Sequence, residues 1–369
     1  MQYKNATIEQ FAQYVKLNNK KIIIFGAGAV CKTFIPYIMG EYGLFKEILY
    51  IIDNNPAKQG EMIDFGEVKV PVKGINCLKN CGEDYCIIIS NGDFYSVMKQ
   101  LDEVECGTKN CYIAAMKQLD RQYDKSLNTV YRDFLKPKIP KIIHYCWFSG
   151  KPMPEILRQC VETWKEYCPD YEFICWNESN YNLEKYRYAK EAYELEKWGY
   201  IPDIVRLDVL YEMGGFYFDT DVKFLKSLEE LRYQEAFCGR ERAGHVNFGG
   251  GSGCIAHSKV VKEILEFRKD EPFKLKDGRF NAEASGYYET TPLMKKGLKI
   301  EDINQKLDGI NVYASEFFSP YNYINGENIK NDNTYSIHFF SGSWLEGGET
   351  LRKETREKYK AIRERLGDI

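Results

Sequence analysis

Apolar runs alternate with polar helical stretches along the first third of the chain. "KKIIIFGAGAVCKTFIPYIM" is an apolar run, a glycine turn and a helix; "EILYIIDNNP" is a second strand that ends at Asp53; "DYCIIIS" is a third and "NCYI" a fourth. This alternation predicts a parallel sheet with helices on its faces. The next stretch, "KQLDRQYDKSLNTVYRDFLKPKIP", is polar, reads as helical and ends in two prolines, which predicts a connection between domains.

The pattern then restarts. "KIIHYCWF" predicts a strand, a helix runs from Pro154 to about Tyr167, and "YEFICWN" is another strand. A tyrosine-rich polar region of helical character covers about Tyr181 to Trp198. In "IPDIVRLDVLYEMGG", Pro202 suits the first turn of a helix and Gly214 its end. That helix is apolar nearly all round, which predicts burial. "FYFDTDV" follows as an aromatic strand, and "HVNFGGGSGCIAH" holds a glycine-rich loop at Gly249 to Gly253. The fold expected is α/β: a Rossmann-like domain over 1–120, a linker over 121–138 and a second domain over 139–369.

Length and composition narrow the function classes. A chain of 369 residues exceeds one ordinary core, and 44% hydrophobic with 15% aromatic residues marks it as globular. A net charge of -3 makes no electrostatic case for nucleic acid. No apolar run has the length of a membrane span and the N-terminus lacks a signal-peptide pattern, so a cytoplasmic location is expected. Between Leu351 and Leu366 seven Lys or Arg face three Glu, which suits either a solvated terminal helix or a peripheral contact with the inner face of a membrane. Oligomeric state is not legible.

Two places carry candidate chemistry. In the first domain Gly26 and Gly28 follow a strand and precede a helix, with Asp53 at the end of the next strand, as in a dinucleotide-binding turn. Cys31 stands at the third glycine position, and Asp53 either holds a ribose hydroxyl or begins the "DNNP" turn. In the second domain Asp219 and Asp221 are i and i+2, on one side of a strand if the strand persists that far. Like charges held together raise a pKa, and a divalent cation removes the conflict; oxygen ligands suit Mn²⁺ or Mg²⁺. Asp203 and Arg206, i and i+3 on the apolar helix, form a buried pair or meet ligand oxygens. A phosphatase of the haloacid-dehalogenase type would need Thr or Val where Lys223 stands.

"IPKIIHYCWFSGKPMP", "CPDYEFICWNE", "DIVRLDVLYEMGGFYFDTDV" and "SIHFFSGSW" occur in that order over about Ile139 to Trp344. Together they resemble glycosyltransferase family 32, the DXD-containing sugar transferases, and more distantly the glucosyltransferase domains of large clostridial toxins. The first domain looks like Rossmann-like modules fused to bacterial polysaccharide enzymes. The resemblance implies a GT-A fold, a nucleotide-sugar donor, a divalent metal (usually Mn²⁺), retention of configuration, and a saccharide or lipid-linked saccharide acceptor in capsule or other surface-polysaccharide synthesis. It implies that Asp221 ligates the metal, that Asp219 lies near the donor, and that Asp203 and Arg206 touch the donor sugar. It further implies that His338, Ser343 and Trp344 fall in the segment that meets metal and diphosphate, with His338 either a third metal ligand or a core histidine of an aromatic strand. By the same resemblance Trp147 and Phe148 end the first strand where such folds receive the base, and they either stack on it or pack in the core; Asn247 is expected to face the sugar, and Thr290 or Thr291 to reach the same cleft. The runner-up reading is a nucleotide-sensing regulatory or assembly protein with a degenerate transferase site; a third is an NAD-dependent sugar-modifying enzyme.

Overall fold

The computed structural model describes residues 2–5, 8–82, 84–104, 110–113, 123–126, 128–276, 278–281, 283–342 and 348–368. The chain divides into two compact units: residues 1–122 with 357–369, and residues 123–356.

The first unit contains β1 (Gln2–Asn5), β2 (Lys21–Phe25), β3 (Ile48–Ile52), β4 (Met62–Asp64), β5 (Lys69–Lys73), β6 (Tyr85–Ile89), β7 (Asn110–Ile113) and a C-terminal strand, Gly367–Asp368. They form one sheet in the order C-terminal strand, β1, β7, β6, β2, β3, β5, β4. Every pairing is parallel except β4 with β5. The central strands β2 and β6 are covered on both faces, which is why they read as unbroken apolar runs. β1 and β4 are only 4 and 3 residues long, and β5 is interrupted by Pro71, so none of the three carries a long apolar run. Residues 357–369 cluster with this unit, whereas the reading above assigned them to the second domain. Backbone pairing of Lys4 with Gly367 and an edge contact of Tyr359 with Phe94 (ring centroids 6.3 Å apart) account for the difference.

The second unit contains β8 (Ile142–Cys146), β9 (Glu172–Trp176), β10 (Gly215–Tyr217), β11 (Val222–Phe224), β12 (Ala236–Arg240), β13 (Val246–Cys254), β14 (Gln305–Leu307), β15 (Ile310–Tyr313) and β16 (Ser336–His338). Seven of them form a mixed sheet ordered β14, β15, β12, β13, β10, β8, β9, and β11 pairs with β16 in a separate antiparallel ribbon. The stretch expected to be a helical linker is not one: residues 123–126 and 128–140 contain no helix and belong to this unit. Pro137 and Pro140 lack N–H groups, and the surrounding backbone bonds elsewhere. Asp133 and Phe134 donate to Tyr233 O at 2.8 and 3.0 Å, and Ile139 donates to Arg232 O at 3.2 Å.

The helix Pro202–Met213 starts on Pro202 and ends at Gly214, with Ile204, Val205, Leu207 and Leu210 fully buried. Gly214 and Gly215 both have positive φ, +67° and +97°. A Cβ on Gly214 would lie 2.5 Å from Ala256 N, and one on Gly215 2.7 Å from Ile142 O. Only glycine allows the sharp turn from this helix into β10. "FYFDTDV" is not one strand. β10 stops at Tyr217, and the chain crosses to the ribbon, where β11 starts at Val222. Among the described residues no helix is long and apolar enough to cross a membrane.

His144 on β8 supports the same turn. Its Nε2–H donates to Gly214 O at 2.8 Å, and its Nδ1 accepts from the Trp176 indole at 3.2 Å, so the ring is neutral with both nitrogens used. Burial pushes its pKa down to about 4 from the ordinary 6.5, against the pull of the Gly214 carbonyl. The depressed value means that this stabilisation is complete above pH 6.5 and is lost as pH falls towards 4. The difference in unfolding free energy between wild type and His144→Gln should therefore shrink over that window, by on the order of 3 kcal/mol. All five tryptophans lie within residues 123–356, so their fluorescence during urea unfolding reports this unit. Parallel pH profiles for the two proteins would contradict the assignment.

Candidate active site

The crossing between the two sheets builds the site. Phe218 N–H donates to His144 O at 3.3 Å, and Asp219 N–H donates to Gly249 O on β13 at 2.8 Å. Val222 on β11 pairs with His338 on β16, and Phe339 N–H donates to Asp221 O at 3.1 Å, so the register places Asp221 beside His338. Ligand atoms of Asp219, Asp221 and His338 lie within 4.8 Å of one another. The carboxylates thus converge although the strand does not persist. Asp221 and His338 are buried and Asp219 half-buried.

Asp221 accepts from Ser341 N–H at 2.7 Å and Ser341 Oγ–H at 2.9 Å, and its Oδ1 lies 3.2 Å from His338 Nε2. Burial opposes its charge, but His338 and these donors hold the carboxyl well below the usual carboxylate range. Burial also opposes charge on His338, and Asp221 outweighs it, raising the imidazole. Burial pushes the Asp219 carboxyl up despite Arg206 and His338. Among the described residues His338 Nδ1 is buried without a hydrogen-bond partner. Two carboxylates and an imidazole with an unused nitrogen fit a hard divalent ion such as Mn²⁺.

Arg206 is ringed by carboxylates. Its Nη2 lies 2.8 Å from Asp203 Oδ1 and 3.6 Å from Asp219 Oδ1, and its Nη1 lies 3.4 Å from Glu289 Oε1. Burial opposes the guanidinium charge, yet Asp219, Asp203 and Glu289 keep it firmly protonated. Arg268 holds the other oxygen of Asp203 at 3.2 Å. Glu289, on the helix Ser285–Lys295, accepts from Phe248 N–H at 2.9 Å. Burial pushes its carboxyl up to about 7, against Arg206 and that N–H.

"NFGGGSGC" is not a loop but lies within the buried strand β13. A Cβ on Gly249 would overlap the Asp219 carboxylate and come 2.8 Å from Arg206 Nη1; on Gly250 it would crowd Ser319 and His338, and on Gly251 Phe318. The glycines are there because side chains from four parts of the chain press on this strand.

Residues 154–238 match the model of the glycosyltransferase sugar-binding region containing a DXD motif. That segment is similar to the sugar-binding region of DXD-containing glycosyltransferases. Among curated proteins the chain is similar to inositol phosphoceramide mannosyltransferase 3 of Schizosaccharomyces pombe, 27% identical over 145 residues, covering 37% of this chain and 35% of that protein. It is also similar to inositol phosphoceramide mannosyltransferase 2 of the same organism, 29% identical over 152 residues, covering 39% of this chain and 44% of that protein. The chain thus spans less than half the length of these relatives. Among solved structures it is similar to PaToxG glycosyltransferase at TM-score 0.37, with 19% identity, 44% of this chain and 71% of that chain covered. A glycosyltransferase involved in the glycosylation of the major capsid of PBCV-1 matches at TM-score 0.33, with 14% identity, 60% of this chain and all of that one.

The DXD pair opens into a cleft of about 660 Å³, which Asp203, Arg206, Asp219, Asp221 and His338 all line. Trp147 and Phe148 also line it, although β8 ends before them at Cys146. The Trp147 indole donates to Lys151 O at 2.6 Å, and Phe148 is packed in the core. Asn247 reaches the cleft with its amide donating to Glu241 at 2.6 Å and accepting from Gly250 N–H at 2.8 Å. Thr290 is structural: its Oγ accepts from Val246 N–H at 2.9 Å, and neither it nor Thr291 lines the cleft. Ser343 and Trp344 lie outside the described residues. Glu289, Ser341 and Glu241 were not foreseen; a lone carboxylate among apolar residues in "YYETTPL" is the one signal that pointed to the first.

In the first unit Gly26 has φ +112°, and its N–H donates to Ile52 O at 2.7 Å. Asp53 accepts from Ala27 N–H and Asn55 N–H, each at 2.8 Å, and lies 3.7 Å from Lys58 Nζ. Both its oxygens therefore close the two turns, and Gly28 stands at the start of the helix Ala29–Glu41.

Removing Glu289 leaves Arg206 short of a carboxylate and the Phe248 N–H without an acceptor. Glu289→Ala should cost about 3–5 kcal/mol of stability in tryptophan-monitored urea unfolding, with partial recovery in Glu289→Gln. A change below about 1 kcal/mol would contradict the buried network.

Proposed function

We propose that this chain is a metal-dependent glycosyltransferase that moves a hexose from a nucleotide-sugar donor to a saccharide or lipid-linked saccharide acceptor. The observation that carries the reading is the convergence of Asp219, Asp221 and His338 in a cleft that also contains Arg206 and Asp203. The match to a DXD sugar-binding region supports it, and the mannosyltransferase names of the relatives favour a hexosyl group. Surface-polysaccharide synthesis of the bacterial capsule kind, at the cytoplasmic side of a membrane, is the setting we assign from the family resemblance.

Asp219, Asp221 and His338 would hold Mn²⁺ or Mg²⁺, with Ser341 fixing the Asp221 carboxylate through two hydrogen bonds. Such an ion supplies electrostatic stabilisation of the charge that grows on the departing nucleoside diphosphate. Arg206 and Asp203 orient the donor sugar through charge-assisted hydrogen bonds to its hydroxyls. Glu289 and Arg268 hold that pair in place from the protein side. Trp147, half-exposed beside the cleft, offers a ring face to the base. We assign retention of configuration: the acceptor hydroxyl attacks on the leaving group's face as the sugar becomes oxocarbenium-like, and its proton passes to the diphosphate oxygen.

Hydrolysis of UDP-hexoses and GDP-mannose, followed by release of the nucleoside diphosphate, tests the reading. Wild type should require Mn²⁺ or Mg²⁺ and stop with EDTA. Asp221→Asn should lose at least about 100-fold, comparable to the loss of one transition-state electrostatic contact. Full turnover by Asp221→Asn, or metal-independent turnover by wild type, would sink the metal assignment.

A further inference from the structure

The cation triad uses one edge of the His338 ring and leaves the other edge without a task. We propose that Ser319 is a positioning residue for that ring: its hydroxyl accepts the Nδ1 proton, directly or through one water, when Nε2 binds the cation. This deepens the metal-dependent reading and rests on it.

The ring is oriented by its neighbours. Its Nε2 lies 3.2 Å from Asp221 Oδ1, so that edge meets the acidic pair. Phe340 stacks on its face, with ring centroids 4.0 Å apart and planes at 24°. Nδ1 faces β13, where a Cβ on Gly250 would lie 3.2 Å from it. The same Cβ would lie 2.8 Å from Ser319 Oγ. The nitrogen and the hydroxyl thus border one space, which Gly250 leaves open.

Both atoms are buried and unused. Ser319 is 1% exposed and His338 5%, and among the described residues neither Ser319 Oγ nor His338 Nδ1 has a hydrogen-bond partner. Asn247 borders the same space, with its Cγ 3.7 Å from that Cβ position, but its amide is engaged by Glu241 and by Gly250 N–H. The backbone of Ser319 is held in place: it follows the short helix Ser315–Phe318, and its N–H donates to Ser315 O at 2.8 Å. Ser319 is not among the described residues that line the cleft, so it reaches the ring from behind and not through the donor.

Proton placement gives the hydroxyl its role. A nitrogen that binds a cation carries no proton, so a neutral imidazole bound through Nε2 holds its proton on Nδ1. That buried N–H needs an acceptor, and the acceptor fixes both tautomer and ring orientation. Before the cation arrives, Nε2–H of the neutral ring donates to Asp221 and Nδ1 is bare. A hydroxyl serves both forms, because it rotates to donate to bare Nδ1 or to accept from Nδ1–H. A carboxylate in its place would accept only, and would add charge beside Asp221.

The test uses the full chain and Mn²⁺ alone, with free and bound ion distinguished by electron paramagnetic resonance. Wild type should bind Mn²⁺, and Ser319→Ala should weaken the affinity at least about tenfold. In a His338→Ala background, adding Ser319→Ala should weaken it no further. A merely structural Ser319 would cost the same factor in both backgrounds. A second readout needs no change at Ser319: nitrogen NMR of imidazole-labelled wild type loaded with Mg²⁺, with the His338 signals identified by their loss in His338→Ala. Those signals should show a proton on Nδ1 and none on Nε2. Unchanged Mn²⁺ affinity in Ser319→Ala, an equal loss in the His338→Ala background, or a proton on Nε2 in the Mg²⁺-loaded protein would overturn the role of Ser319. No Mn²⁺ binding by wild type would instead overturn the cation reading, and this role with it.

Discussion

The pairing of Val222 with His338 is the constraint on which the second unit's site depends. It draws the chain out of the seven-stranded sheet after Tyr217 and into a two-stranded ribbon. The four residues in between include both aspartates. Continuous pairing along β10 would have kept Asp219 and Asp221 on one strand face, with no imidazole near. Crossing between sheets instead anchors Asp219 to β13 through its backbone and Asp221 to the segment after β16. The cost of gathering charges in a buried place is offset by what surrounds them: Ser341 and His338 around Asp221, and Arg206 beside Asp219.

Packing around that crossing explains the glycines. Gly214 and Gly215 permit the turn that aims β10, and His144 braces it with a neutral imidazole. Gly249, Gly250 and Gly251 leave room on a buried strand for Asp219, His338 and Phe318. Arg206 links the layers, because its guanidinium reaches carboxylates from its own helix, from the crossing and from the helix Ser285–Lys295. A one-atom intrusion on β13 would therefore disturb both the acidic pair and the arginine.

Much of this was legible in the residues. The strongly apolar strands β2, β3 and β6 announced the first sheet, and the Pro202 and Gly214 signals bounded the buried helix. Asp203, Arg206, Asp219 and Asp221 stood out as charges in apolar surroundings. His338 was reached through family resemblance, since one histidine in an aromatic strand carries no signal of its own. The glycine stretch was misread as a loop because β-propensity disfavours glycine, and nothing local says that side chains from elsewhere will fill the space. Glu289 and Ser341 were missed because their partners lie 83 and 120 positions away. The polar segment after residue 122 was misread as helical, since its bonds to Arg232 and Tyr233 leave no trace in its own pattern.

The central claim is that Asp219, Asp221 and His338 form one cation site. Anomalous diffraction at the manganese edge, from crystals soaked in Mn²⁺ with a nucleoside diphosphate, tests it most directly. The account predicts a single strong peak within bonding distance of the Asp221 carboxylate and adjacent to His338 and Asp219. A peak elsewhere, or none at this triad while the diphosphate is bound in the cleft, would contradict it.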